Sequence, residues 1–478
     1  MPYEKEIANK TSHIDIVKNP DVQDFLKRCH KIDYPEDKEK KTISQIFSNP
    51  WKSHFKKPQN IISIDGSLYE SSITEKFPSR KIGFIKIGVV LLKCELLENM
   101  RQDAPFIDPF EVAKFKENNE SYTLILPSAN IVYDNCEDVQ ESFRRALDEQ
   151  FDKFRSEKNN PDSSLRMTLF KLASFSEGSS SEMIKLSKCP CCEKYENIVV
   201  SYAEIKSKGY SSCPHCGKPL YVTDILRVWE QVEGMISNIS AMTRTMNVVE
   251  RLIAIHYIRT IVEKSPESYT EALENICFFI DGPLAIFGEP AKLHSCIMKY
   301  LEKINIEMRK HGKTDILIMG IQKSGAVNDF FENIKEFVPN NSIYSLTDDY
   351  RDKYINFEKK PKSSNTYGAE TYFGQDFLYK SKSGKVFVFN APYPWLSKSS
   401  VQNFSLEKAN IMNYKNIEVY TNLLNDFECE LFENSLIPTV LAHKYTAISL
   451  APGSKVLDLL AKSNILNQGA PLFDKKST

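Results

Sequence analysis

Apolar and polar positions alternate along this chain in two rhythms. Short unbroken apolar runs predict buried strands: IISID at 61–65, the Ile- and Val-rich stretch Lys81–Cys94, ICFFID at 276–281, DILIMG at 315–320, Val386–Asn390 and Ile417–Thr421. Helical spacing predicts helices around Val22–Cys29 and Thr42–Phe47, and a charged helical region from Asn135 to Leu172. One long helix is expected over Asp224–Glu263. There Ile225, Val228, Val232, Met235, Ile239, Met242, Met246, Val249 and Ile253 recur close to a 3.6-residue period. Thr223 or Asp224 would cap its start, and Ser265-Pro266 would end it. A polar loop is expected next. Mixed strands and helices indicate an α/β core built on a mixed sheet. The Ser-rich stretch Ser174–Ser181 reads as a linker.

Composition narrows the class. With 478 residues, 41% hydrophobic and 26% charged, the chain is an ordinary globular protein of two or three domains. A net charge of −1 means that any nucleic-acid groove must be local. The start, MPYEKEIANK, lacks the apolar core of a signal peptide. The most apolar segment, Ile82–Leu97, is interrupted by Lys86, Lys93 and Glu95, so no membrane span is expected. These features predict a cytoplasmic protein whose 11 cysteines are thiols and metal ligands rather than disulfides.

Four of those cysteines have metal-site spacing. Cys189 and Cys192 form one Cys-x-x-Cys knuckle; Cys213 and Cys216 form a second after an intervening spacer. Each knuckle aims two thiolates at one ion, and a spacer folding back as a hairpin joins the pairs in a zinc ribbon. Four thiolates leave no open coordination position, so the zinc is structural. Cys191 is an alternative to Cys192, which has the better spacing; His215 is read as a non-ligand. A redox role for the two pairs is the lesser alternative.

Two strands share a further design. IISIDGS and CFFIDGP each end an apolar run in Asp-Gly, at Asp65 and Asp281. Side by side, such strands would bring together two carboxylates, the hard oxygen donors that Mg²⁺ or Mn²⁺ takes in phosphodiester hydrolysis. Taken singly, each Asp-Gly is a simple turn. A third strand leads into Lys323, either a solvated lysine or a phosphate contact. His256 lies among apolar helix residues and carries no assigned role. Asp348 and Asp349 read as loop or helix-capping residues.

In order, IDGS at Asp65, NVVERLIAI with Glu250, FFIDGPLAIFG with Asp281, ILIMGIQKSG with Lys323 and IPTVLAHKYTAIS with His443 resemble the NurA family of DNA-repair nucleases. The resemblance covers roughly 59–130 and 225–465. It implies a ribonuclease-H-like, Piwi-like nuclease core, working as a homodimer on DNA with manganese or magnesium. A hexameric HerA-type ATPase would be the partner, in DNA end processing or anti-phage defence. Asp65, Glu250 and Asp281 would be metal ligands, His443 a ligand or proton carrier, and Lys323 a phosphate contact. Glu95, Glu98 and Glu263 compete with Glu250. Where family members often carry an aromatic residue before the Ala-His, this chain has Asn434-Ser435-Leu436. The expected organisation is an N-terminal helical extension (1–58), a first core part (59–140), an insertion (141–224) with the ribbon at about 186–222, and a second core part (225–478). Two rival readings remain: a non-catalytic adaptor with a degenerate nuclease core that docks a partner through the ribbon and extension, and a related enzyme acting on RNA or hybrids.

Overall fold

The computed structural model describes residues 11, 13–29, 37–50, 56–74, 77–95, 119–176, 182–355, 366–429, 434–450 and 452–465. Its strands are β1 (Asn60–Ser72), β2 (Lys81–Lys93), β3 (Asn119–Pro127), β4 (Met183–Lys185), β5 (Val199–Ser201), β6 (Ser211–Ser212), β7 (Pro219–Leu220), β8 (Ile276–Asp281), β9 (Leu317–Gln322), β10 (Ser342–Ser345), β11 (Gly374–Lys380) and β12 (Val386–Pro392). Eight of them form one mixed sheet in the order β10-β11-β12-β9-β8-β1-β2-β3. The central trio β1, β8 and β9 is parallel, and the other pairings are antiparallel. The expected mixed α/β architecture is therefore present.

The central strands are continuous apolar runs because both sheet faces are covered. Cys277, Phe278 and Phe279 in β8, and Leu317 and Met319 in β9, are fully buried. The helix Ile239–Lys264 lies on one face of β1 and β2, and the helix Ile437–Thr446 lies on the other. The opposite faces follow from register. Asp65 and Gly88 are directly paired, as are Gly66 and Ile87, and paired residues point the same way. A Cβ on Gly88 would come within 2.5 Å of Thr446, whereas one on Gly66 would come within 2.8 Å of Met246.

Several expectations need correction. β1 does not end at Asp65 but runs on to Ser72, so Asp65 lies mid-strand. The long helix starts at Ile239, not Asp224. Residues 222–226 and 228–231 are short 3-10 turns, separated by Arg227 with φ +55°, which breaks the helical path. Asp224 caps the first of these turns by accepting from the Tyr221 N–H at 2.8 Å. Ile417–Thr421 is not a strand but the start of the helix Ile417–Asp426, burying Ile417, Tyr420, Leu423 and Leu424 at helical spacing. The charged region 135–172 divides into helices Val139–Lys153 and Leu165–Ser176, so the expected linker begins inside a helix; its residues 177–181 lie outside the described ones. The loop after Ser265 contains a short helix, Tyr269–Glu274. β3, β10 and β11 were not foreseen. The N-terminal helices are Ile14–Lys18, Pro20–Arg28 and Asp37–Ser44. Among the described residues no helix is long and apolar enough to cross a membrane.

Candidate functional site

β1 and β8 run parallel in a register that pairs Ile64 with Ile280. One residue further along, Asp65 and Asp281 therefore stand side by side, their strands about 4.8 Å apart. Both point to the face covered by the His443 helix. β8 stops at Asp281, and Gly282 turns the chain away with φ +81°. Past that point β1 has no β8 neighbour, and the space admits a side chain from the opposite face. Glu250 fills it: a Cβ on Gly66 would come within 2.6 Å of Glu250 Oε1.

Each acidic group already has a partner. Asp65 Oδ2 accepts from His443 Nδ1 at 3.1 Å and from Thr446 Oγ1 at 3.2 Å. Asp281 Oδ1 is 3.1 Å from Lys323 Nζ. Glu250 pairs with the neighbouring Arg251. Asp65 and Glu250 are buried, while His443 leaves 62% of its side chain exposed. The electrostatics follow from this crowding. Burial pushes the Glu250 carboxyl up to about 7; Arg251 opposes that shift, and the charges of Asp65 and Asp281 add to it. Burial also raises Asp281, with Lys323 opposing and Asp65 adding. The hydrogen bond to Asp65 raises His443.

The structure thus brings together Asp65, Glu250, Asp281, Lys323 and His443. Of the competing glutamates, Glu95 lies just past the end of β2, Glu98 is outside the described residues, and Glu263 pairs with Lys171 and Arg259 near the far end of the long helix. His256 is buried, its Nδ1 2.8 Å from Thr168 Oγ1. Asp348 and Asp349 open the helix Asp348–Tyr354 behind the Thr347 cap. Sequence reasoning gave no role to Thr446 or Arg251. Thr446 lies three residues after His443, one helical turn along, which was the available signal. Arg251 lay inside a quoted motif, but besides Glu250 its partners are backbone carbonyls that no motif displays.

Three carboxylates and an imidazole suit a hard divalent ion in donor type. Glu250, buried beside two more carboxylates, bears a charge cost that such an ion would remove. The carboxylates are not drawn tightly together, however. Among the described residues, only Cys189, Cys192, Cys213 and Cys216 form a group of potential ligands all within 4.8 Å of one another.

That cysteine group has the dimensions of a zinc site. Cys189 and Cys216 sulfurs are 3.8 Å apart, and those of Cys192 and Cys213 are 3.9 Å apart. A tetrahedron with zinc–sulfur bonds of about 2.3 Å has edges of about 3.8 Å. The two knuckles are built alike: the N–H of Cys191 faces Cys189 Sγ at 3.4 Å, and that of His215 faces Cys213 Sγ at 3.4 Å. After each pair the chain takes positive φ, at Glu193 and at Gly217. Cys191 is not in the cluster; it accepts from Arg144, whose guanidinium also pairs with buried Asp224. His215 bonds the Glu196 carbonyl at 2.8 Å and is likewise not in the cluster.

No protein-family model matches the chain. No curated protein matches it. Among solved structures, it is similar to the crystal structure of the NurA nuclease from Sulfolobus solfataricus, at 9% identity and a TM-score of 0.30 over 96% of this chain and 97% of that one, a distant likeness on which no functional argument rests.

Proposed function

We propose that this chain is a metal-dependent DNA nuclease of the NurA type. The observation that carries the reading is the convergence of Asp65 and Asp281 from adjacent parallel strands with Glu250 from the opposite face. Asp65, Glu250 and Asp281 would hold Mn²⁺ or Mg²⁺, with His443 at the edge. The bound ion would supply Lewis-acid activation of water for attack on a phosphodiester. His443, exposed and bonded through Nδ1 to Asp65, would move a proton at the rim. Lys323, which pairs with Asp281, would contact a substrate phosphate as a point charge once an ion took its place on that carboxylate. The four-cysteine cluster would carry a structural zinc.

A second reading draws on the same ion pairs. If Arg251 and Lys323 permanently occupy the place of the ion, the core is a non-catalytic adaptor. DNA cleavage assays with added Mn²⁺ on wild type and on Asp65 and Asp281 variants separate the two.

The domain boundaries, the homodimer and the HerA-type ATPase partner belong to the nuclease reading. Light scattering should give twice the chain mass, and a HerA-type hexamer should co-purify. A monomer that captures no such ATPase would contradict this part of the proposal.

A further inference from the structure

Arg251 follows Glu250 on the long helix, and the nuclease reading gives it no task. Its side chain is 5% exposed. Besides Glu250, the guanidinium donates to the carbonyls of Asn247 at 3.1 Å, Asp281 at 3.0 Å and Pro283 at 3.1 Å. The last two flank Gly282. That glycine has φ +81°, and a Cβ there would come within 2.9 Å of Arg251 Nη2. The Gly282 N–H in turn donates to the Ile321 carbonyl at 2.7 Å. The turn after Asp281 is thus pinned between β9 and the helix.

We propose that Arg251 is a positioning residue for the metal centre, its guanidinium tying the Glu250 carboxylate to the backbone that carries Asp281. The inference rests on the nuclease reading of this site. Glu250 and Asp281 reach the site from opposite faces of the sheet, on a helix and a strand joined through the short helix Tyr269–Glu274, and the Arg251 guanidinium contacts both. The planar guanidinium offers five N–H donors in a fixed fork and serves a carboxylate and three carbonyls at once. A lysine ammonium has its three donors at one point and cannot bridge that span. Among the described residues, Arg251 Nε is buried without a hydrogen-bond partner.

The test uses the full chain and Mn²⁺ alone. Thermal shift is measured against Mn²⁺ concentration for wild type, Arg251→Lys and Gly282→Ala, with DNA cleavage followed over the same titration. Arg251→Lys keeps the charge beside Glu250 but loses the fork. Gly282→Ala keeps the arginine but crowds its Nη2 and, at φ +81°, strains the turn itself, so an unchanged Mn²⁺ midpoint in it overturns the tie even if Arg251→Lys fails to fold. The expected result is that both variants need about 10- to 100-fold more Mn²⁺ for the half-maximal shift, the range seen when groups orienting metal ligands are removed. Cleavage should shift in parallel. If either folded variant keeps the wild-type Mn²⁺ midpoint, even with a lower metal-free melting temperature, Arg251 is only a structural ion pair and the proposal is overturned. If wild type itself shows neither a Mn²⁺-dependent shift nor cleavage, the nuclease reading fails first and this inference falls with it.

Discussion

Gly66 and Glu250 are in such close approach that a methyl group at residue 66 would lie 2.6 Å from the Glu250 carboxylate. Gly66 follows Asp65 in β1, so the residue beside one acidic group leaves room for another. Gly66→Ala should fold, because β1 has ordinary strand geometry there and the crowded atoms are side-chain atoms able to give way. The variant should displace Glu250 and lower cleavage by up to about a hundredfold, as expected for a misplacement near 1 Å. Circular dichroism and cleavage rate at saturating Mn²⁺ check this; wild-type activity would show that Glu250 has no role at this distance.

The acid–base state of the site should be visible in stability. Glu250 is raised from 4.5 to about 7, and Asp281 and His443 are also raised. A group raised in the folded state binds protons more tightly there than when unfolded, so its contribution is complete below its unfolded value and is lost as pH rises through the folded one. For Glu250 the window is 4.5 to about 7. The metal-free protein should therefore lose melting temperature across that window. Glu250→Gln should flatten the loss and melt higher than wild type at about pH 8. An unchanged slope in the variant would contradict the assigned environment.

Zinc should be separable from the sheet. The four-cysteine cluster lies in a module of short hairpins, β4–β5 and β6–β7, with its own small pairings. Purified protein should contain about one zinc per chain. Cys213→Ser with Cys216→Ser should release it and increase proteolysis within about 186–222, while sheet residues keep slow amide exchange. Protein purified without chelator and free of zinc would contradict the assignment.

How much of this was legible in the sequence differs by element. β8 and β9 were readable because strands buried on both faces are unbroken apolar runs. β1 beyond Asp65 was not. Its continuation, SLYESS, looks like exposed polar chain, but Tyr69 and Ser71 donate to Asp458 of the helix Gly453–Ile465. That covering is a tertiary fact. Ile417–Thr421 looked like a strand because four apolar or β-branched residues in five fit either rhythm; packing of Ile417, Tyr420 and Leu424 at helical spacing settled it. Asp65 and Asp281 could be singled out from strand pattern and Asp-Gly. Glu250 and His443 came from resemblance alone, since nothing local distinguishes Glu250 from Glu263. The tie through Arg251 depends on carbonyls of a turn about 30 residues downstream, which leave no mark on side-chain patterns.

The metal-centre assignment stands or falls on cleavage of linear DNA with Mn²⁺, comparing wild type with Asp65→Asn and Asp281→Asn, with and without a HerA-type ATPase. Each substitution keeps the side chain's shape and removes a charged ligand. Loss of metal activation is worth several kcal/mol, so cleavage should fall by about a hundredfold or more in each variant, with the metal-free fold retained. If wild type cuts and both variants cut at the wild-type rate, the active site lies elsewhere on the chain; if wild type does not cut even with the ATPase present, the adaptor reading stands instead.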